Sequence, residues 1–314
     1  MFAQGPRGVS RRHFLAAGAV AAGVSPTLLA QVASPEAAAE IDLDTFVLPR
    51  RDLGQTGLRP TVLGFGTGKF GPMYAEDGSR ENFRRLVSLL EYAYDRGIRY
   101  FDLADDYDSH PFMRAALREN GGTIPRDEVV LLTKTLDRTH GGALADIERF
   151  RREVGTDHFD IVLYHAAEAG DWPAIHRGAL DALSEAKAAR RVRAHGSSCH
   201  TIAALAAAAA EPWVEVDLAR LNPWSDIMDG PVETVKGVLR TMKHNGKGVI
   251  GMKILANGRR AAAPERAESI RHALTCGLLD CFTIGFRTRE ELDQVLLDVA
   301  VGLRGARLAA RTTP

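Results

Sequence analysis

Gly97-Ile98-Arg99-Tyr100-Phe101-Asp102-Leu103-Ala104-Asp105-Asp106-Tyr107 decides the fold. The segment Arg80–Arg96 before it has a helical pattern, Gly97 ends that pattern, and Tyr100–Leu103 is a short apolar strand. A helix leading into a buried strand that stops at polar residues is part of a β/α repeat. The same unit recurs along the chain. Strands are expected at Val62–Gly66, Tyr100–Leu103, Val129–Lys134, Phe159–Tyr164, Val192–Gly196, Val214–Leu221, Gly248–Lys253 and Cys281–Gly285. Helical patterns such as Arg80–Arg96 and Arg289–Leu303 lie between them. Eight such units of this spacing are what a closed (β/α)8 TIM barrel requires. A hairpin over Phe46–Val62, turning at Gln55-Thr56-Gly57, precedes the first strand. An open doubly wound sheet is the competing fold. It usually carries a G-x-G-x-x-G turn after its first strand, and Gly64-Phe65-Gly66-Thr67-Gly68 lacks that spacing.

Composition agrees with one large α/β domain. The chain has 314 residues, of which 45% are hydrophobic and 25% charged, and a barrel needs roughly 250. The formal net charge is zero, which gives no footing for a nucleic-acid or anionic-membrane partner. The 3 cysteines, Cys199, Cys276 and Cys281, form no C-x-x-C pair. A disulfide framework or a zinc site is therefore not expected.

The N-terminus reads as an address. Ser10-Arg11-Arg12-His13-Phe14-Leu15 is followed by a weakly apolar Ala/Gly stretch to Ala30. Paired Arg, a modest apolar segment and small residues match a twin-arginine signal, a route that exports folded, cofactor-loaded proteins. Gly23 and Ser25-Pro26 interrupt the stretch, so a permanent membrane span is not expected. The organisation read here is a signal and linker over 1–40, then one barrel over 41–314, with an extracytoplasmic or periplasmic destination.

In a barrel, side chains at the C-terminal strand ends face the active site. Asp102 ends the second strand, with Tyr107 five residues on; Lys134 ends the third and His165 the fourth. Each alone could be a solvated loop or satisfied core residue, but together they have a chemical logic. Hydride delivery to a carbonyl carbon builds negative charge on the oxygen, and a proton donor must meet it. The phenol of Tyr107 can supply that proton. A cation such as Lys134 lowers a phenol's pKa, Asp102 can hold the cation, and His165 can orient the carbonyl oxygen.

These residues carry a resemblance to the aldo-keto reductases. Arg51–Leu58 with Leu63–Thr67 resembles that family's first hairpin and strand, Gly97–Ala104 with Tyr107 its Asp-to-Tyr motif, and Gly155–His165 its histidine-bearing strand. The resemblance implies a catalytic tetrad of Asp102, Tyr107, Lys134 and His165, with Tyr107 as general acid. It also implies an NADPH site, with NADH possible, and a small carbonyl substrate. Gly66, Thr67 and Asp102 would border the cofactor from the early strands. Ser198 and Cys199 would hold the carboxamide. Met252, Lys253 and Leu255 would follow strand seven, and Gly285, Arg287 and Glu291 would serve the adenosine phosphate. The usual Asn is Cys199 here, the usual Gln is Leu218, the usual aromatic is Met252, and a frequent Asn is Val295. Arg287 favours a 2′-phosphate, whereas Glu291 opposes one. NADPH is therefore expected to bind tighter by less than about tenfold, or ~1.4 kcal/mol.

Two other functions compete. The acidic run Asp102, Asp105, Asp106 and Asp108, with His110, could attract a divalent metal, although Lys134 at the same rim would repel it. The altered cofactor contacts would also suit a non-catalytic nucleotide-binding module.

Overall fold

The computed structural model describes residues 41–312. The region 1–40, which carries the expected export signal, lies outside the described residues.

The apolar runs form eight strands: β1 Leu63–Gly66, β2 Tyr100–Asp102, β3 Val130–Thr135, β4 Phe159–Ala167, β5 Val192–Cys199, β6 Val216–Arg220, β7 Gly248–Met252 and β8 Cys281–Ile284. Each pairs in parallel with its sequence neighbour, and β1 pairs with β8 to close the barrel. The helices are α1 Phe70–Ala75, α2 Arg80–Asp95, α3 His110–Ala116, α4 His140–Val154, α5 Trp172–Ile175, α6 Arg177–Ala188, α7 Ile202–Ala210, α8 Val232–His244, α9 Glu265–Thr275 and α10 Arg289–Thr312. Among the described residues no helix is long and apolar enough to cross a membrane.

Strand alternation divides the core in two. Ile161, Leu163, Val216, Leu218, Ile250 and Met252 belong to one buried cluster, which fills the barrel lumen. Their neighbours Val162, Tyr164, Ala219, Leu221 and Val249 join the layer packed under the helices. The expected hairpin is present as one antiparallel bridge, Arg50 to Thr61, supported by bonds from Arg51 N to Pro60 O and from Leu53 N to Leu58 O. Its Leu53 and Leu58 join the lumen cluster and close one end of the barrel. The backbone at Gly54 has φ +51°, and a Cβ there would meet Gly248 N at 2.3 Å, so only glycine fits. With that end plugged, the lumen opens at the C-terminal strand ends.

Element ends differ from the sequence reading in informative ways. β4 runs on to Ala167, with a bulge between Tyr164 and Ala167. The extra length places His165 inside the strand, and the bulge re-aims the strand end. Thr139 caps α4 through Gly142 N at 3.1 Å, so helix begins at His140 despite Gly141-Gly142. The connection after β3 is therefore only 136–139.

Candidate active site

The site is built on the lumen-facing ends of the strands. Leu132 of β3 lies in the lumen cluster, and two residues on Lys134 points the same way. It is fully buried. Its ammonium donates to the Asp102 carboxylate at the end of β2 and to the Leu103 carbonyl at 2.9 Å. Tyr107 does not sit on a strand. It ends a short 3-10 turn, Asp105–Tyr107, beyond β2. The turn brings its hydroxyl to 3.5 Å from Lys134 Nζ, which also lies 4.4 Å from the ring centre. His165 meets the Tyr107 ring edge-on at 5.9 Å. Asp106 Oδ1 stands 3.3 Å from His165 Nδ1, too oblique for a full hydrogen bond. Asp102, Tyr107, Lys134 and His165 are thus gathered at one mouth.

Burial sets their ionisation. Burial opposes the Lys134 charge, but the Asp102 carboxylate and the Tyr107 phenol outweigh it, so its pKa lies above the ordinary lysine value. For Tyr107 the balance runs against the sequence argument. Burial raises the phenol pKa, Lys134 lowers it, and the Asp102 and Asp106 carboxylates add to the rise, leaving it above the usual tyrosine value. Lys134 cannot overcome burial because Asp102 cancels much of its field. Burial also holds His165 below the usual histidine range, so its imidazole is neutral at physiological pH.

Beside the tetrad runs a cleft of about 480 Å3 between the ends of β1, β7 and β8. Asp102 and Tyr107 line its inner end, and Met252, Lys253, Leu255, Arg287 and Glu291 line its length. Gly66 and Gly285, facing each other across β1 and β8, form part of its wall. A Cβ on Gly66 would meet Thr283 Oγ1 at 2.9 Å, and one on Gly285 would meet Gly66 O at 3.0 Å. Either would press into the neighbouring strand. The buried hydroxyls of Ser198 and Thr283 have no hydrogen-bond partner within the protein. Unpaired buried hydroxyls are rare, and one that borders a cleft can be satisfied by a bound group. The cleft, walled by glycine and bordered by the unpaired Thr283 hydroxyl, fits a long, polar, partly planar ligand such as a dinucleotide.

Three expected cofactor contacts are altered by the structure. Cys199 faces the helix layer, donating its thiol to Asp217 at 3.3 Å, and is fully buried away from the cleft. The reason is that β5 continues through Cys199, so alternation sends Ser197 and Cys199 outward while Ser198 faces the lumen. Thr67 is also fully buried, and its hydroxyl donates to the Asp102 carbonyl at 2.8 Å, which makes it a brace for β2. Arg287 reaches the cleft but pairs with Glu76 at 2.9 Å, while its backbone N–H donates to Glu291 Oε2 at 2.7 Å.

Three of the four aspartates in the acidic run at the end of β2 are directed at the protein's own cations and at His165. Asp102 faces Lys134, Asp105 takes a two-pronged contact from Arg149 at 2.8 and 2.9 Å, and Asp106 faces His165. Among the described residues no group of three or more His, Cys, Asp or Glu side chains is arranged to hold a metal ion. Trp224 packs beneath its loop, donating to Ser269 Oγ at 2.8 Å.

Sequence reasoning missed Thr283, whose hydroxyl borders the cleft, and two further neighbours of the site. Lys69, just past the end of β1, lines the cleft; its place beyond a strand end was a usable signal. His200 lies 6.0 Å from His165, and burial with nearby Arg220 pushes its pKa down to about 3.

Comparisons with known proteins converge on one family. The aldo/keto reductase family model matches residues 62–294. The chain is 26% identical over 235 residues to a D-threo-aldose 1-dehydrogenase of a Pseudomonas species, covering 64% of this chain and 68% of that one. A shorter stretch of 58 residues is 45% identical to a pyridoxal 4-dehydrogenase of Microbacterium luteolum, spanning 18% of this chain and 16% of that protein. Among solved structures, an aldo-keto reductase from Bacillus halodurans in its holo form superposes with a TM-score of 0.64 at 17% identity, covering 83% of this chain and 96% of its own. A Brucella melitensis aldo/keto reductase gives 0.59 at 18% identity, covering 82% of this chain and 100% of its own. At such identities the structural likeness speaks for the fold, and the family match spans most of the barrel: this chain belongs to the aldo/keto reductase family.

Proposed function

We propose that the chain reduces an aldehyde or ketone to an alcohol with NAD(P)H, Tyr107 acting as general acid. Family membership supports an oxidoreductase working at a carbonyl, and aldo-keto reductases generally use NAD(P)H. The observation that carries the finer reading is Tyr107 held beside Lys134 at the inner end of the glycine-walled cleft.

When bound, the nicotinamide nucleotide supplies the hydride. Tyr107 gives its hydroxyl proton to the carbonyl oxygen as negative charge develops there. Lys134 stabilises the phenolate left behind, and Asp102 keeps the ammonium in place. Neutral His165 orients the carbonyl oxygen. Ser198 and Thr283 would hold the nucleotide through their unpaired hydroxyls, and Gly66 and Gly285 leave it room. Lys69 and Lys253 would face its phosphates. Glu76 and Glu291 beside Arg287 weaken the attraction for a 2′-phosphate, so NADPH and NADH are accepted within about tenfold of each other, with NADPH the tighter. Titrating nucleotide fluorescence with both cofactors and then assaying a panel of carbonyls tests the reading. Binding without turnover across the panel would leave a nucleotide-binding module instead.

Export by the twin-arginine route is proposed from Arg11-Arg12 and the apolar stretch after them. Fractionation of an Arg11→Lys, Arg12→Lys variant checks it, and unchanged export would refute it.

A further inference from the structure

Tyr107 stands on a turn that its own backbone holds weakly. The turn's two internal bonds, from Tyr107 N to Ala104 O and from Asp108 N to Asp105 O, are each 3.3 Å long. Asp108, which closes the turn, takes the left-handed conformation at φ 51°. The sheet holds the chain only as far as Leu103, whose N–H donates to Leu132 O at 2.8 Å. Something outside the turn must fix the phenol against Lys134.

The outside tether is Arg149 of α4. Its guanidinium grips both oxygens of Asp105, the first residue of the turn, at 2.8 and 2.9 Å. Arg149 is itself oriented by Asp146 at 2.8 Å and Glu153 at 3.0 Å. Glu153 also takes His110 Nδ1 at 2.7 Å, at the start of α3 just past the turn. His110 Nε2 meets Thr133 Oγ1 at 2.8 Å, and Thr133 is the neighbour of Lys134 on β3. One chain of contacts therefore ties the turn before Tyr107, the helix after it and the strand that carries the ammonium. A two-pronged guanidinium–carboxylate pair fixes direction as well as distance.

We propose that Arg149 is a positioning residue that holds the Tyr107 hydroxyl against Lys134 through Asp105. The proposal rests on Tyr107 being the proton donor. Without Arg149 the turn keeps only its two long internal bonds, the oblique Asp106–His165 contact and the packing of the Tyr107 ring, and a displacement of about 1 Å is enough to cost a hundredfold in rate.

The test is Arg149→Ala in the full chain. The expected result is a kcat lower by about ten- to a hundredfold, with KM and the nucleotide Kd within about twofold. Arg149→Lys should be intermediate, since an ammonium cannot reproduce the fork. Added guanidinium ion should restore part of the rate to Arg149→Ala. Separately, the alkaline absorbance titration of each protein, taken as the difference from its Tyr107→Phe counterpart, reads the Tyr107 phenol alone. That ionisation should shift in Arg149→Ala, because a drifting phenol leaves both the burial that raises its pKa and the ammonium that lowers it. Asp105→Asn should give the same two changes and replaces Arg149→Ala if that variant does not fold. A normal kcat with an unmoved phenol titration, even alongside a lower Tm, overturns the proposal. Wild type without carbonyl turnover would instead defeat the proposed function, and the phenol titration then decides the positioning role on its own.

Discussion

Lys134 Nζ stands 3.5 Å from the Tyr107 hydroxyl while its ammonium is committed to Asp102. That division of one cation between a carboxylate and a phenol explains why burial wins at Tyr107 and its pKa lies above the usual tyrosine value. The donor therefore stays protonated through neutral pH, and its conjugate base is scarce.

A directional pH dependence follows. Carbonyl reduction needs the protonated phenol, so its kcat/KM should hold steady from neutral pH into the alkaline range. Alcohol oxidation needs the phenolate and should climb with pH over the same range. Rate profiles in both directions check this. A reduction profile that fell away near neutral pH would contradict the ionisation argument.

Lys134→Met should abolish turnover and also destabilise the fold. It leaves the buried Asp102 carboxylate unpaired, a loss on the order of 3–5 kcal/mol. Lys134→Arg keeps the charge but places a planar fork where an ammonium fits, so activity should not return. Denaturant titration and steady-state kinetics measure the two effects, and a stable, active Lys134→Met would make the residue a bystander.

Ser198 separates binding from stability. Its buried hydroxyl has no partner in the protein, and such a group costs about 1–3 kcal/mol. Ser198→Ala should leave the nucleotide-free chain as stable or more so, yet weaken nucleotide binding severalfold. Arg287→Ala should lower the NADPH-to-NADH affinity ratio. Calorimetric titration reads both; an unchanged Kd for Ser198→Ala would remove it from the cofactor site.

Asp217 gives a stability signature. Burial lifts its pKa from 3.8 to about 7, against the donors Ser197 and Cys199. Between those two values the folded chain keeps a proton that the unfolded chain has released. Stability from this group is therefore full at low pH and is lost as pH rises towards and past about 7. Asp217→Asn cannot ionise and keeps an acceptor for Ser197. Its stability relative to wild type should improve by about 1–3 kcal/mol between pH 4 and pH 8. A difference that stayed constant with pH would refute the assignment.

The barrel was legible because short apolar runs alternate with helical patterns eight times, and Asp102, Lys134 and His165 were found as polar residues at expected strand ends. The hidden parts depend on information that no local pattern holds. Cys199 was placed in the cofactor site by resemblance, at a position where the family usually has Asn; the strand was expected to end at Gly196, and three more residues of alternation turn its side chain outward. The rise in the Tyr107 pKa depends on burial by distant segments, which a residue list does not weigh. Arg149 is 44 residues from Asp105, and on the sequence it is one more charge on a helix.

Tyr107→Phe tests the central claim most directly, with carbonyl reduction and nucleotide binding measured on the same preparation. The phenol supplies a proton and little of the nucleotide's contact surface. The account predicts a fall in kcat of at least about a hundredfold, with the nucleotide Kd within about twofold of wild type. Turnover near the wild-type rate would contradict it.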